Sequence, residues 1–97
     1  MKIMPISFAA RVSVPPDVLI SEVGGESVLL NLKNERYFGL DDVGTRMWKA
    51  LIAVDSIQAA YEMLLAEYDV EADRLRQDLD DLIGKLIEQG LVEVSGE

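Results

Sequence analysis

The sequence predicts an α+β domain in which a three-stranded antiparallel sheet is followed by three helices. Apolar, β-branched runs separated by turn residues occupy the first half of the chain, and apolar residues recur at helical spacing in the second half. The length of 97 residues and the 49% hydrophobic content suit a single core. The predicted order of elements is therefore β-β-β-α-α-α, and residues 91–94 follow as a short extended tail.

Adjacent glycines mark the first turn of the predicted sheet. Gly24 and Gly25 lie between the strand candidates 18–23 and 27–32, and glycine takes the positive φ of a tight hairpin turn at no steric cost. Two consecutive prolines, Pro15-Pro16, precede the first strand and hold the chain extended without supplying amide donors. We therefore divide the chain into an N-terminal arm at 1–16, a domain at 17–94 and a tail at 95–97.

A polar turn and a short strand complete the predicted sheet. Residues 33–36 are polar, and among them Asn34 is the residue best able to adopt a left-handed conformation. In the third strand, which follows directly, alternation places Phe38 and Leu40 on the core face and Tyr37 on the opposite face. Since the first and third strands of such a meander each keep a free edge, the sheet can recruit another strand.

Capping residues define the start of the first two helices. Asp41 is a good N-cap for a helix over 42–53. Asp55 and Ser56 begin the second helix, in which Gln58 stands three residues after Asp55 as in a capping box. Apolar residues at helical spacing give each of these two helices one face to bury.

The last helix is the longest and has the widest apolar face. It starts around 71–73 and ends before Gly90, a suitable C-terminal stop. Its apolar residues span an arc of roughly 140°, wider than one contact seam needs. We expect Ile83 and Ile87 to face the domain's own core, and the margin next to Asp78 is the candidate for an outward apolar wall. The arc comprises Leu75, Leu79, Leu82, Ile83, Leu86 and Ile87.

Composition argues against several classes of function. The chain has 18 acidic and 9 basic side chains, and its formal charge of −9 disfavours nucleic acid and anionic membranes as partners. It contains no cysteine or histidine, and therefore no disulfide, thiolate nucleophile, imidazole base or common zinc ligand. The sequence shows neither a targeting segment nor a nucleophile paired with a base. We expect a cytoplasmic, non-enzymatic domain without a cofactor.

Three aspartates of the last helix, Asp78, Asp80 and Asp81, invite comparison with a carboxylate metal site. A solvated helix face explains them better, because Asp81 and Lys85 form a favourable i,i+4 pair and no second carboxylate-rich loop is present. We therefore predict no metal site. Asp78 differs from its neighbours since it borders the apolar arc, where its carboxylate can meet a basic residue of a ligand.

A series of short motifs runs through the chain in a characteristic order and spacing. They are Arg36 to Thr45 (RYFGLDDVGT), Met47-Trp48, Leu51, Tyr68-x-Val70, Leu75-x-x-Asp78-Leu79-x-x-Leu82, Leu86 and Gly90-Leu91-Val92. In this arrangement the chain resembles the PqqD-like family, the recognition elements (RREs) of ribosomally synthesised, modified peptides. The resemblance covers roughly 28–92, and the aromatic pair Tyr37-Phe38 is most similar to the standalone versions from lasso-peptide pathways.

The resemblance implies a winged-helix-like fold that binds the leader of a precursor peptide between the third strand and the third helix. It also implies two partner enzymes in lasso-type pathways, a leader peptidase and a macrolactam cyclase, which would carry the chemistry. On this basis the predicted peptide-binding residues are Leu30, Arg36, Tyr37, Phe38, Gly39, Leu75, Asp78, Leu79, Leu82 and Leu86.

Three other functions stay open at the level of sequence. The pyrroloquinoline quinone pathway uses a peptide carrier of the same family, although the Tyr37-Phe38 pair favours the lasso type. A winged-helix transcription regulator would place a recognition helix in the major groove, but the second helix has no Arg or Lys. A purely structural subunit would use the free strand edge for self-association.

Overall fold

The computed structural model describes residues 7–96 and contains two small sheets and three helices. The predicted order of three strands followed by three helices is confirmed, and a further short strand lies at each end of this series. The elements are β1 (Arg11–Ser13), β2 (Val18–Val23), β3 (Glu26–Asn31), β4 (Arg36–Leu40), α1 (Asp42–Ala53), α2 (Ile57–Glu67), α3 (Ala72–Glu88) and β5 (Glu93–Ser95).

The main sheet is an antiparallel meander with the order β2-β3-β4. Its first turn is the predicted glycine pair, in which Gly24 and Gly25 have φ of 61° and 86°. Two consecutive residues with positive φ match the right-handed twist of the strands, which explains why the chain reverses so tightly here.

The second turn differs from the prediction, because Glu35 and not Asn34 has the left-handed conformation, with φ of 61°. The Asn34 side chain serves the turn in another way, since its Oδ1 accepts a hydrogen bond from the Arg36 amide at 2.9 Å. The Glu35 amide donates to the Asn31 carbonyl at 2.8 Å. An asparagine that hydrogen-bonds the backbone two residues later leaves the next residue to take the positive φ.

Side-chain caps begin the first two helices. Asp41 caps α1 as predicted, with Oδ1 accepting from the Gly44 amide at 2.8 Å. The cap of α2 is Ser56, whose Oγ accepts from the Ala59 amide at 3.1 Å, so the capping box based on Asp55 was wrong. The Gln58 side chain is instead directed along the helix, where its Nε2 donates to Glu62 at 3.0 Å.

The core lies between the inner face of the main sheet and the three helices. Its largest fully buried side chains come mainly from β3 and the three helices and include Leu29, Leu51, Leu64, Ile83 and Trp48, of which Trp48 is 2% exposed. Outside the core, the Arg46 guanidinium of α1 donates hydrogen bonds to the Glu67 carboxylate of α2 and holds the pKa of that carboxyl below its usual value. Burial and this surface pair together fix α2 against α1.

A second sheet, not predicted from the sequence, joins the two ends of the described chain. Strand β1 pairs antiparallel with β5, and Val12 lies opposite Val94. The segment before β1 is also attached, because the Ala10 and Phe8 carbonyls accept from the amides of Ile57 and Gln58 at the start of α2. Residues 1–6 of the predicted arm lie outside the described residues.

None of the helices in residues 7–96 combines the length and the apolar character needed to cross a lipid bilayer.

Candidate peptide-binding groove

The β4 strand has a strand partner on one side only. It pairs with β3 from Ser27 opposite Leu40 to Asn31 opposite Arg36, and no other strand of residues 7–96 pairs with it. Alternate amides and carbonyls of an edge strand point away from the sheet and can bond an extended peptide. The free edge of β4 is therefore a ready site for adding a strand.

A groove runs along this edge between β4 and α3, which both contribute residues to its lining. Phe38 and Leu40 form the apolar floor, and Leu82 of α3 forms the facing wall. A peptide strand laid in the groove would bond β4 through its backbone and contact Leu82 through alternate side chains. The full lining consists of Phe38, Gly39, Leu40, Asp41, Gly44, Asp78, Asp81, Leu82 and Lys85.

A buried asparagine fixes one end of the groove by joining the sheet to the end of α3. Asn31, 7% exposed, donates from Nδ2 to the Gly90 carbonyl at 2.8 Å and accepts the Lys33 amide at 2.9 Å. Gly90 has φ of 72°, and a Cβ there would lie 3.0 Å from Asn31 Nδ2. A side chain at position 90 would crowd the Asn31 amide and be strained by the positive φ, so glycine favours this close approach of β3 and the C-terminus of α3.

The other end of the groove is fixed by a buried hydroxyl pair. Ser27 of β3 and Thr45 of α1 are 2.7 Å apart at their side-chain oxygens, and Thr45 Oγ1 also donates to the Leu40 carbonyl at 3.4 Å. Because buried hydroxyls are costly without partners, this pairing holds the end of β4 against the start of α1. The groove is therefore bounded by rigid elements at both ends.

The charges of the groove are arranged along its length. Asp41, Asp78 and Asp81 line the end near Leu40, whereas Arg36 lies at the far end, where its Nη1 donates to Gln89 Oε1 at 3.2 Å. Since Asp78 stands opposite the end of β4 and Gln89 opposite its start, α3 runs antiparallel to β4. An occupant thus meets negative charge at one end and positive charge at the other.

One ion-pair expectation is corrected within this acidic end. Asp81 Oδ1 accepts from Gln77 Nε2 at 3.0 Å, and the predicted pair of Asp81 with Lys85 is not formed among the described residues. Asp78 contacts Arg74 at 3.4 Å, but the two side chains are 43% and 75% exposed. An exposed pair of this kind contributes little, so Asp78 is available to a charged ligand.

The ten predicted binding residues separate into three groups. Phe38, Gly39, Asp78 and Leu82 line the groove, and Arg36 lies at its end. Leu30 and Tyr37 lie on the outer face of the sheet, where Tyr37 is 74% exposed. The remaining three leucines, Leu75, Leu79 and Leu86, are buried in the core.

The margin of α3 that faces the groove is the one bordered by Asp78, as the sequence analysis suggested. Ile83 is fully buried, but Ile87 is 42% exposed, so its predicted place in the core was wrong. The buried residues Leu75, Leu79, Ile83 and Leu86 form a stripe whose centre lies near Leu79 and Leu86, and Ile87 is about 90° from that centre. It therefore reaches solvent at the opposite margin.

Several groove residues were missed from the sequence, namely Leu40, Asp41, Gly44, Asp81 and Lys85 as lining positions. The groove residues that α3 supplies follow a helical spacing of three and four residues: Asp78, Asp81, Leu82 and Lys85. Because positions with this spacing share one helix face, the spacing could have identified them from the sequence. Residues 7–96 contain no group of three or more acidic side chains arranged to hold a metal ion.

Comparison with known proteins gives both a family and close structural neighbours. The sequence model of the family described as Coenzyme PQQ synthesis protein D (PqqD) matches residues 26–92. The solved structure of TbiB1 in complex with the TbiA(beta) leader peptide is 31% identical, covers 87% of this chain and 98% of that chain, and superposes with a TM-score of 0.78.

A second solved structure, lasso peptide synthetase B1 complexed with the leader peptide, supports the same fold. It is 23% identical, has a TM-score of 0.76, and covers 86% of this chain and 98% of that chain. No curated protein matches the sequence.

Proposed function

This chain belongs to the PqqD family, and we propose that it binds the leader region of a ribosomal precursor peptide as an added β-strand along β4. The observation that carries the proposal is the free edge of β4 beside a groove whose other wall is α3 and whose lining combines the apolar Phe38, Leu40 and Leu82 with charged residues. A relative of nearly the same length, TbiB1, forms a complex with a leader peptide. This similarity supports the lasso-peptide type of pathway for the chain.

In this proposal the domain is a cytoplasmic binding partner without catalytic activity, and the chemistry resides in a leader peptidase and a macrolactam cyclase. The sequence has no histidine or cysteine to act as base or nucleophile. Holding the leader beside an enzyme replaces free diffusion by a high effective concentration, so a small binding domain increases the yield of a reaction that it does not perform.

A titration with leader peptides of lasso precursors, beginning with the TbiA(beta) leader bound by the relative TbiB1, tests the proposal. Amide shifts of ¹⁵N-labelled protein are expected to concentrate on β4 and on the Asp78 to Lys85 part of α3. Shifts that cluster on α1 and α2 and leave Tyr37, Phe38 and Leu82 unmoved would show that the groove is not the binding site. A scrambled leader of the same composition is the control for non-specific association.

Reversing the charge of Asp78 is expected to slow the association of a leader that carries a basic residue. The side chain is at the groove and 43% exposed, so Asp78→Lys removes an attractive charge without removing core packing. We expect the association rate to fall about tenfold at low salt and less at high salt, where screening is stronger. Stopped-flow fluorescence with a labelled leader measures both rates.

The matched control for Asp78→Lys is Glu62→Lys, which makes the same change of charge on α2, at an exposed position outside the groove. Net charge alone would slow association equally in the two variants. An equal effect of both substitutions, or the same loss at every salt concentration, would contradict a local role for Asp78.

A further inference from the structure

The outer face of the main sheet is apolar although the helices cover only the inner face. Strand register places Leu19, Leu30 and Tyr37 in one row across the three strands, and Ser21, Val28 and Gly39 in the next row. Leu19 is 53% exposed and Val28 45% exposed. An exposed apolar row that ends at the free edge of β4 is continuous with the proposed peptide site.

A shallow depression lies on this outer face at the row of Gly39. Its lining consists of Ser21, Val23, Glu26, Ser27, Val28, Gly39, Leu40 and Asp41. The depression and the groove share Gly39, Leu40 and Asp41, so they lie on the two faces of the same strand.

Gly39 opens the depression toward the free edge. A Cβ built at this position would meet no atom within 4 Å, and the backbone there does not have positive φ. The glycine is therefore required neither by backbone conformation nor by close packing. Its effect is to leave a gap between Tyr37, two residues earlier on the same face, and the end of the strand.

We propose, on the basis of the proposed function, that the leader peptide is recognised on both faces of the sheet. Successive side chains of an added strand point to opposite faces. One set of side chains enters the groove against Leu82. A residue of the other set, opposite Gly39, leans over that glycine into the depression and contacts Val28. The preferred ligand is thus a peptide with large apolar side chains at two neighbouring positions, not the alternating pattern of an amphipathic strand.

Filling the gap tests this inference. Gly39→Leu places a side chain where the leader residue would lie. Gly84→Leu is the matched control, because Gly84 is on α3 outside both the groove and the depression. A Cβ at Gly84, like one at Gly39, meets no atom within 4 Å. A random peptide library displayed on phage is selected against wild type and both variants, and the enriched peptides are synthesised for affinity measurement.

We expect wild type and Gly84→Leu to enrich peptides with two neighbouring large apolar residues. Peptides selected by Gly39→Leu should retain only one of these residues, the one whose side chain enters the groove. Wild-type-selected peptides should bind Gly39→Leu about tenfold more weakly. The same motif from all three proteins would overturn the two-faced recognition and leave the proposed function intact. Failure of wild type to enrich any peptide would overturn both. If Gly39→Leu does not fold, Gly39→Ala provides the comparison, with a loss of about threefold expected.

Discussion

The variant Leu82→Asp is expected to lose leader binding while remaining folded. Leu82 is only half-buried in the free domain, at the wall of the groove, so a carboxylate there stays hydrated. A bound leader would cover it and leave an unpaired charge in an apolar contact, beside Asp78 and Asp81. We expect a cost of about 3 kcal/mol, or roughly a hundredfold in Kd.

Isothermal titration calorimetry with the leader measures the loss, and urea denaturation of the free protein shows whether the fold is retained. Ile87→Asp is the matched control, because it makes a similar change on the opposite margin of the same helix, at a residue that is 42% exposed. Equal weakening by both substitutions, or a wild-type Kd for Leu82→Asp, would contradict the assignment of Leu82 to the groove wall.

Local chemistry carried enough information to predict the architecture of this domain. The Gly24-Gly25 pair favours a tight hairpin turn between its flanking β-branched runs, since two positive φ values in succession are otherwise rare. Asp41 likewise fixes the start of α1 by accepting the Gly44 amide three residues away. Turn and capping residues of this kind act within a few residues of the chain, so the turn or helix start can be predicted before any tertiary contact is known.

Contacts between residues far apart in the chain could not be predicted from the sequence in this way. The pairing of β1 with β5 joins Arg11 to Ser95, and neither short strand has a pattern that identifies its partner. The hydrogen bond from Asn31 to the Gly90 carbonyl spans 59 residues, although it sets the position of α3 beside the sheet. Such contacts depend on how the elements are arranged in space, which periodicity does not specify.

The candidate site was therefore predicted only in part. Periodicity identified an apolar arc on α3 that is wider than contact with one neighbouring element requires. It gave the width of this arc but not how deeply each of its residues is buried. Leu79 and Leu82 are equivalent by composition, yet the first is fully buried and the second lines the groove. The neighbouring Asp78 marks the margin that lines the groove, whereas Ile87 at the opposite margin faces open solvent.

Burial makes Leu79→Asp the substitution with the largest expected effect on stability. Leu79 is 0% exposed and lies in the core stripe of α3. Aspartate there removes the leucine contacts and introduces either a buried charge or a protonated acid without room for a partner. We expect the free energy of unfolding to fall by about 5 kcal/mol, comparable to the total stability of a small domain. Circular dichroism during urea denaturation should show a largely unfolded chain without denaturant.

Leu79→Met is the control for Leu79→Asp, because it changes the shape of the side chain at this position but keeps its hydrophobic character. A swap of similar volume is expected to cost less than about 1.5 kcal/mol, and the variant should bind the leader as wild type does, because Leu79 supports α3 from the core side and does not line the groove. A folded, cooperative Leu79→Asp protein would place this residue outside the core. A folded Leu79→Met protein that has lost leader binding would show instead that Leu79 contacts the peptide directly.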